Sequence, residues 1–180
     1  LLAFFTLLIF SLLSFENDCK DLREDCFRLH IIANSDTEED QRLKLHVRDS
    51  ILRDTAWLFA KAKDKNEAIE LCKSEEKAIR KYAEDAINKM GYDYDVRIET
   101  AKTFFPTRTY EKYTLPAGKY DALKIIIGEG KGKNWWCVMF PPLCIPVADS
   151  VETNKSATDC LTESGEKIVN GGEKYIVKFK

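Results

Sequence analysis

The stretch Phe27-Arg28-Leu29-His30-Ile31-Ile32-Ala33-Asn34-Ser35-Asp36 decides the fold. Its first seven residues are largely apolar and β-branched at the centre, which predicts a buried strand. Asn34-Ser35-Asp36 stops that strand. Ser35 with Glu38, or Asp36 with Glu39, then forms a helix-start signature, because a short side-chain oxygen satisfies backbone N–H groups that the first turn leaves free. Glu38, Glu39 and Asp40 suit the positive end of the helix dipole. A buried strand that runs directly into a helix is the nucleus of a layered fold.

Working outward, Leu43, Val47, Ile51 and Leu58 recur at helical spacing, and a first helix is expected over 37–62. Lys63-Asp64-Lys65-Asn66 breaks it, with Asn66 as the expected cap. Ile69, Cys72, Ile79, Ala83, Ala86, Ile87 and Met90 make the stripe of a second helix, and Gly91 is placed to end it in the left-handed conformation. Tyr92, Tyr94, Val96 and Ile98 alternate with charged residues, as in a half-exposed strand. Phe104-Phe105-Pro106-Thr107-Arg108-Thr109-Tyr110 is irregular and expected to cross a sheet edge. Strands are expected over 119–127 and 134–140, joined as a hairpin by the loop Gly128-Glu129-Gly130-Lys131-Gly132-Lys133, and a last strand over 176–179. The order predicts an α+β fold: a two-layer sandwich with two helices packed on one face of a mostly antiparallel sheet.

Length and composition set bounds. At 180 residues there is room for one domain with a proper core, and a formal net charge of −2 predicts no general affinity for nucleic acid or anionic lipid. Leu1 to Phe15 carries no charge but falls short of the roughly 20 apolar residues a spanning helix needs. It reads as the apolar region of a secretory signal or as an amino-terminal anchor. The missing initiator Met and uncapped end suggest a fragment of a longer reading frame. The chain divides into that segment (1–16), a folded domain (17–150) and a polar tail (151–180).

Six cysteines allow about 15 pairings. Cys137 and Cys144 are the best local pair, since Pro141-Pro142 can turn the chain between them. Cys19 and Cys26 could pair with each other or with Cys160, and Cys72 reads as a free core thiol. No CxxC is present and both histidines lie far from the cysteines, so no metal site is expected.

Other chemistry is weakly supported. The glycine-lysine loop has the wrong spacing for a phosphate cradle, has Asn134 where a hydroxyl is needed, and leads into a strand. Asp93 and Asp95 share a face but read as a solvated strand. A cysteine hydrolase built from Cys137 or Cys144 with His30 or His46 is the alternative enzymatic reading. Trp135 and Trp136 are adjacent in a strand and must point to opposite faces, so one can enter the core while the other turns outward.

Taken together, these residues resemble stage II sporulation protein R of endospore-forming bacteria. The resemblance is carried by Arg28-Leu29-His30-Ile31-Ile32-Ala33-Asn34-Ser35-Asp36, Glu39-Asp40-Gln41, Val47-Arg48-Asp49, Phe105-Pro106-Thr107-Arg108 with Tyr110, Pro116-Ala117-Gly118, and Asn134-Trp135-Trp136-Cys137-Val138 with Phe140-Pro141-Pro142-Leu143-Cys144. It implies a signalling protein secreted from the forespore into the intermembrane space. There it would activate a membrane-embedded aspartic-type protease that processes the mother-cell pro-sigma-E factor. It implies no catalytic residue, cofactor or metal, no nucleic-acid partner, and membrane contact only through the amino-terminal segment. Phe105, Arg108, Tyr110, Trp136 and Phe140 are the expected partner-binding residues. Asn34 and Asp36 are expected to fix the strand-to-helix turn and Arg48 to pair with Asp36. Pro116, Gly118, Cys137 and Cys144 are expected to be structural.

Overall fold

The computed structural model describes residues 2–110 and 114–143. Cys144, Cys160 and the expected last strand lie outside the described residues. In chain order the elements are α1 (Leu2–Asp25), β1 (Phe27–Ile32), α2 (Glu38–Asp54), α3 (Ala56–Lys61), α4 (Lys65–Ser74), α5 (Glu76–Lys89), β2 (Val96–Phe105), β3 (Arg108–Thr109), β4 (Thr114–Leu115), β5 (Gly118–Ile127) and β6 (Asn134–Phe140). This is the expected α+β class. β2, β5, β1 and β6 form one sheet in that order, and β3 pairs with β4 in a separate short ribbon.

β1 lies inside the sheet, parallel to β5 and antiparallel to β6, so Leu29 stands between Leu123 and Cys137. β2 is antiparallel to β5. Two of the three pairings are therefore antiparallel, as expected, but the hairpin is not: β5 and β6 flank β1 instead of pairing with each other. The cause is the character of β1, buried from Phe27 to Ile31 and apolar at every second position. Such a strand is better satisfied with a neighbour on each side than at an edge. Loop 128–133 spans the two strand spacings, about 10 Å.

That loop is bonded to the strand end it crosses. Lys131 N donates to Asn34 O at 3.0 Å and Gly132 N to Ala33 O at 2.9 Å. The Asn34 side chain accepts from Glu129 N at 2.9 Å, and Asp36 Oδ1 accepts from Lys133 N at 2.7 Å. Gly132 packs directly on the Ser35 carbonyl, leaving no space for a Cβ.

The helices cover one face of the sheet. Thr37, rather than Ser35 or Asp36, caps α2, its hydroxyl accepting from Asp40 N at 3.3 Å. Ser35 instead donates to the Asp40 carboxylate at 2.5 Å, which also accepts from Asn34 Nδ2 at 2.8 Å. Each expected long helix is broken once. Thr55 interrupts the first, its hydroxyl donating back to Ile51 O at 2.6 Å, and Glu75 separates α4 from α5. Asp64, not Asn66, caps α4, accepting from Glu67 N at 2.9 Å. Gly91 ends the helical layer at φ +81, as expected. Phe27, Leu29 and Ile31 of β1 meet Leu43, Val47 and Ile51 of α2 and Ile79, Ala83 and Ile87 of α5 in the main core.

A second, smaller core occupies the opposite face. It joins Cys26 and Leu22 near the end of α1 to Phe105, Leu115, Tyr120, Ala122 and Val138. The two-layer expectation is thus extended by a partial third layer made of the last turns of α1 and the β3–β4 ribbon. Cys19 is also buried, whereas Phe4, Leu7, Phe10 and Leu13 earlier in α1 are exposed. Among the described residues no helix is long and apolar enough to cross a membrane. Cys19, Cys26 and Cys72 are free, which corrects the pairing expected for the first two and agrees with the thiol expected at Cys72. Cys26, enclosed by apolar neighbours, has its thiol pushed up to about 12, burial being the main cause.

Gly132→Ala should lower unfolding stability by about 1–3 kcal/mol, because its methyl group meets backbone that cannot step aside. Gly91→Ala meets nothing within 4 Å and should cost about 1 kcal/mol through its positive φ alone. Chemical denaturation of the two variants measures the difference.

Candidate partner-binding site

The alternation of β1 sends Arg28 and His30 to the face opposite the helices. Phe105 of β2, Tyr120 of β5 and Trp136 of β6 join them there, while Trp135 packs against the main core. The two tryptophans therefore point to opposite faces, as their adjacency requires. The Arg48 guanidinium lies 5.2 Å from the Trp135 ring centroid and pairs with Asp49 at 2.7 Å. The expected Arg48–Asp36 pair is thus corrected: Asp36 is occupied by the backbone of Lys133.

Arg28 is the centre of the second face, although it is fully buried. Its Nε donates to Cys137 O at 3.3 Å and its Nη2 to the Tyr110 hydroxyl at 2.7 Å. That hydroxyl donates in turn to Trp136 O at 3.3 Å. The guanidinium carbon lies 4.1 Å from the Phe105 centroid and 4.8 Å from that of Tyr120, where ring faces attract a cation. Burial raises the Tyr110 and Tyr120 hydroxyls above the usual phenol range, partly offset by the nearby Arg28 charge. Both phenols are therefore neutral hydrogen-bonding groups at ordinary pH.

Arg108 covers the outside. It is exposed at the start of β3, and its guanidinium carbon stands 4.0 Å from the Trp136 ring centroid. Trp136 and Tyr110 are half-buried beneath it. Of the five residues expected to bind a partner, Arg108, Tyr110 and Trp136 thus come together at the surface. Phe105 is fully enclosed beside them, and Phe140 is buried with the main core on the other side of the sheet. A register shift at Phe27/Arg28, where β1 pairs with β6, carries Phe140 there. Phe105 supports the site from within, and Phe140 has no part in its surface.

The structural residues hold the edge of this face. Tyr120 donates its hydroxyl to Pro116 O at 2.6 Å. Gly118 lets the Arg23 side chain of α1 lie against the backbone, where a Cβ would stand in its way, and Arg23 also reaches Ala117 O at 3.5 Å. This Pro116-Ala117-Gly118 corner therefore ties α1 to β5.

Among the described residues, which leave out Cys144, the hydrolase geometry is not formed. Cys137 is fully buried, faces the main core, and is disulfide-bonded. His30 projects from the opposite face. His46 lies on α2. The glycine-lysine loop leads into β6 and bonds to Ala33, Asn34 and Asp36 just beyond β1, as a structural crossing would. Asp93 and Asp95 precede β2 rather than share a strand face. They line an open groove with Asn34, Tyr94, Arg97 and Glu129. Among the described residues no group of three or more His, Cys, Asp or Glu could hold a metal.

The sequence reads Arg28 as part of a buried strand and offers His30 as a candidate base for a cysteine nucleophile. The signal that could have separated them was available: Arg28 and His30 alternate with Phe27, Leu29 and Ile31, which marks a second, polar-aromatic face. His30 Nε2 lies 2.8 Å from Asn134 Oδ1, and Nδ1 has no partner. The ring packs against Phe105 and Trp136 at 5.8 and 5.9 Å between centroids. If Nε2 carries the proton to Asn134, a second proton at Nδ1 would meet no acceptor. Burial accordingly lowers the His30 pKa below its ordinary 6.5.

The family profile described as stage II sporulation protein R matches residues 23–150. Stage II sporulation protein R of Bacillus subtilis (strain 168) is 35% identical over 144 residues, which is 80% of this chain and 64% of the relative. The chain therefore spans less than two thirds of the length of that relative. No solved structure matches it.

The lowered His30 pKa fixes a pH dependence. Because the folded state disfavours protonation, the His30 contribution is complete above the unfolded value near 6.5 and is lost as pH falls below it, where the unfolded chain takes up the proton. Denaturation of wild type and His30→Asn across pH 5 to 8 should show a stability difference that shrinks on acidification. A difference independent of pH would contradict the assignment.

Proposed function

The chain belongs to the stage II sporulation protein R family, and from that membership we propose that it is an intercellular signal of sporulation. In this reading it is secreted from the forespore into the intermembrane space and activates the membrane-embedded aspartic-type protease that processes the pro-sigma-E factor. It performs no catalysis of its own. The observation that carries the reading is the family match over 23–150, which takes in the whole sheet and the ribbon bearing Arg108. The exposed apolar residues of α1 fit an export signal or anchor, and the disulfide-bonded state of Cys137 fits an oxidising compartment.

The protease would be gripped through Arg108, Tyr110 and Trp136. A half-buried tryptophan under an arginine is the residue chemistry that concentrates binding energy at protein interfaces. Activation then requires only that this surface bind the active arrangement of the protease more tightly than the inactive one.

Co-expression of the chain, the protease and the pro-sigma factor should give cleavage that depends on export of the chain. Arg108→Glu is exposed and should leave folding and secretion unchanged, yet reduce cleavage by roughly tenfold or more, the effect of losing an interface anchor. Arg108→Glu combined with Trp136→Ala should abolish it. A well-secreted double variant that supports full cleavage would remove this surface from the mechanism.

A further inference from the structure

Arg28 needs a partner that the described chain does not supply. Its Nη1 is buried with no hydrogen-bond acceptor, and its other nitrogens meet only a carbonyl and a phenol, both neutral. The Phe105 and Tyr120 rings attract the cation but carry no net charge. Holding a guanidinium out of water costs several kcal/mol unless an anion meets it. Trp136 Nε1, on the same face, is a second buried donor without an acceptor. Arg108 adds another positive charge above Trp136. Four other arginines do meet a carboxylate: Arg23 pairs with Glu16, Arg48 with Asp49, Arg53 with Asp54 and Arg80 with Glu76.

The geometry points to a carboxylate-binding site centred on Arg28 Nη1, filled by an aspartate or glutamate side chain of the protein partner that enters beside Arg108 and Tyr110. The inference rests on reading this face as the partner-binding surface, and it adds the chemistry of what is bound. A carboxylate fits better than a phosphate. The donors are few and enclosed by aromatic rings, which suits a planar two-oxygen group on an apolar stem. Arg108 at the surface attracts the anion, and Arg28 receives it in a dry site where the hydrogen bond is strongest.

Tyr110 is the latch in this arrangement. Its hydroxyl occupies Arg28 Nη2, the nitrogen that a bidentate carboxylate would take together with Nη1. Removing only that hydroxyl should therefore strengthen binding, a result opposite in sign to that expected if Tyr110 were merely a contact residue.

The test uses the folded full chain and glutamate blocked at both ends as N-acetyl and N-methylamide, with the equally blocked glutamine as control. NMR follows the Trp136 indole N–H and the Arg28 guanidinium signals. Wild type should bind the glutamate saturably, with a dissociation constant on the order of 1 mM for two charge-assisted hydrogen bonds, and should ignore the glutamine. Tyr110→Phe should bind several-fold tighter, Arg108→Gln several-fold weaker, and Arg28→Gln not at all. Should Arg28→Gln fail to fold, the opposed shifts of Tyr110→Phe and Arg108→Gln decide the matter. Equal responses to both probes, no saturable response in wild type and Tyr110→Phe, or weaker binding by Tyr110→Phe would overturn the proposal and leave Nη1 to a buried water. Because the titration contains no protease, saturable binding without export-dependent cleavage would overturn the signalling reading and leave the carboxylate site standing.

Discussion

The hydrogen bonds that loop 128–133 donates to the side chains of Asn34 and Asp36 close the end of β1, and the crossing from β5 to β6 depends on them. The ladders of β1 to β5 and to β6 set the separation of those two strands, and the closure fixes the path of the chain between them. Asn34 works in two directions: its oxygen accepts from the loop while its nitrogen donates to Asp40 in the first turn of α2. A single amide thus couples the crossing to the start of the helical layer. Gly132 permits the approach, since only a residue without Cβ can lie on the Ser35 carbonyl. Asp40 is held below the usual carboxylate range: burial alone would raise it, but hydrogen bonds from Ser35, Asn34 and Tyr94 outweigh that effect.

From this fixed strand the two faces diverge. The helix-facing residues are aliphatic and aromatic, and their burial supplies the bulk of the driving force, roughly 1.5–3 kcal/mol for each large side chain. The opposite face is built on a charge. Arg28 lies between the rings of Phe105 and Tyr120, bonded to β6 and to Tyr110. Replacing such a group by a well-packed apolar residue is often neutral or stabilising, so its presence is poorly explained by stability alone. The parity of one strand separates an apolar stability face from a polar-aromatic face one residue away.

The sequence was legible where local physics dominates. The strand over β1, the helix stripes, the turn at Gly91 and the opposite orientations of Trp135 and Trp136 all follow from short-range periodicity. The α+β class follows from their order. It was misleading where a choice depends on residues distant in the chain. A loop of glycines and lysines between two strands looks like a hairpin, and only the competition of β1 for the central position excludes it. Thr55 and Glu75 break helices whose apolar stripes continue unbroken, because a stripe records facing and not continuity. At the candidate site, Arg108, Tyr110 and Trp136 were visible as unusual residue types. Phe105 and Phe140 were equally apolar in sequence, and burial, including a register shift at Phe27/Arg28, is what separates them from the surface. Arg28 was hidden because a charge within an apolar strand offers no local reason for its partners, which lie on β2, β5, β6 and beside β3.

The same organisation bears on how a small surface could act on a larger partner. The main core is continuous and closed by helices, whereas among the described residues the second face is covered by the end of α1, a ribbon of two short strands and Leu143. Cover with so few apolar contacts opens more readily than a core, and segments that respond to ligands come from this end of the stability range. Tyr110 connects the ribbon to both Arg28 and the backbone of Trp136. A group pressing on Trp136 is therefore felt at Arg28 through one side chain, while β1 behind it remains fixed by two neighbouring strands and the loop across its end. A rigid strand beneath a yielding cover keeps the donors in place while the surface adapts, which lets affinity depend on the state of the partner rather than on rearrangement of the whole domain.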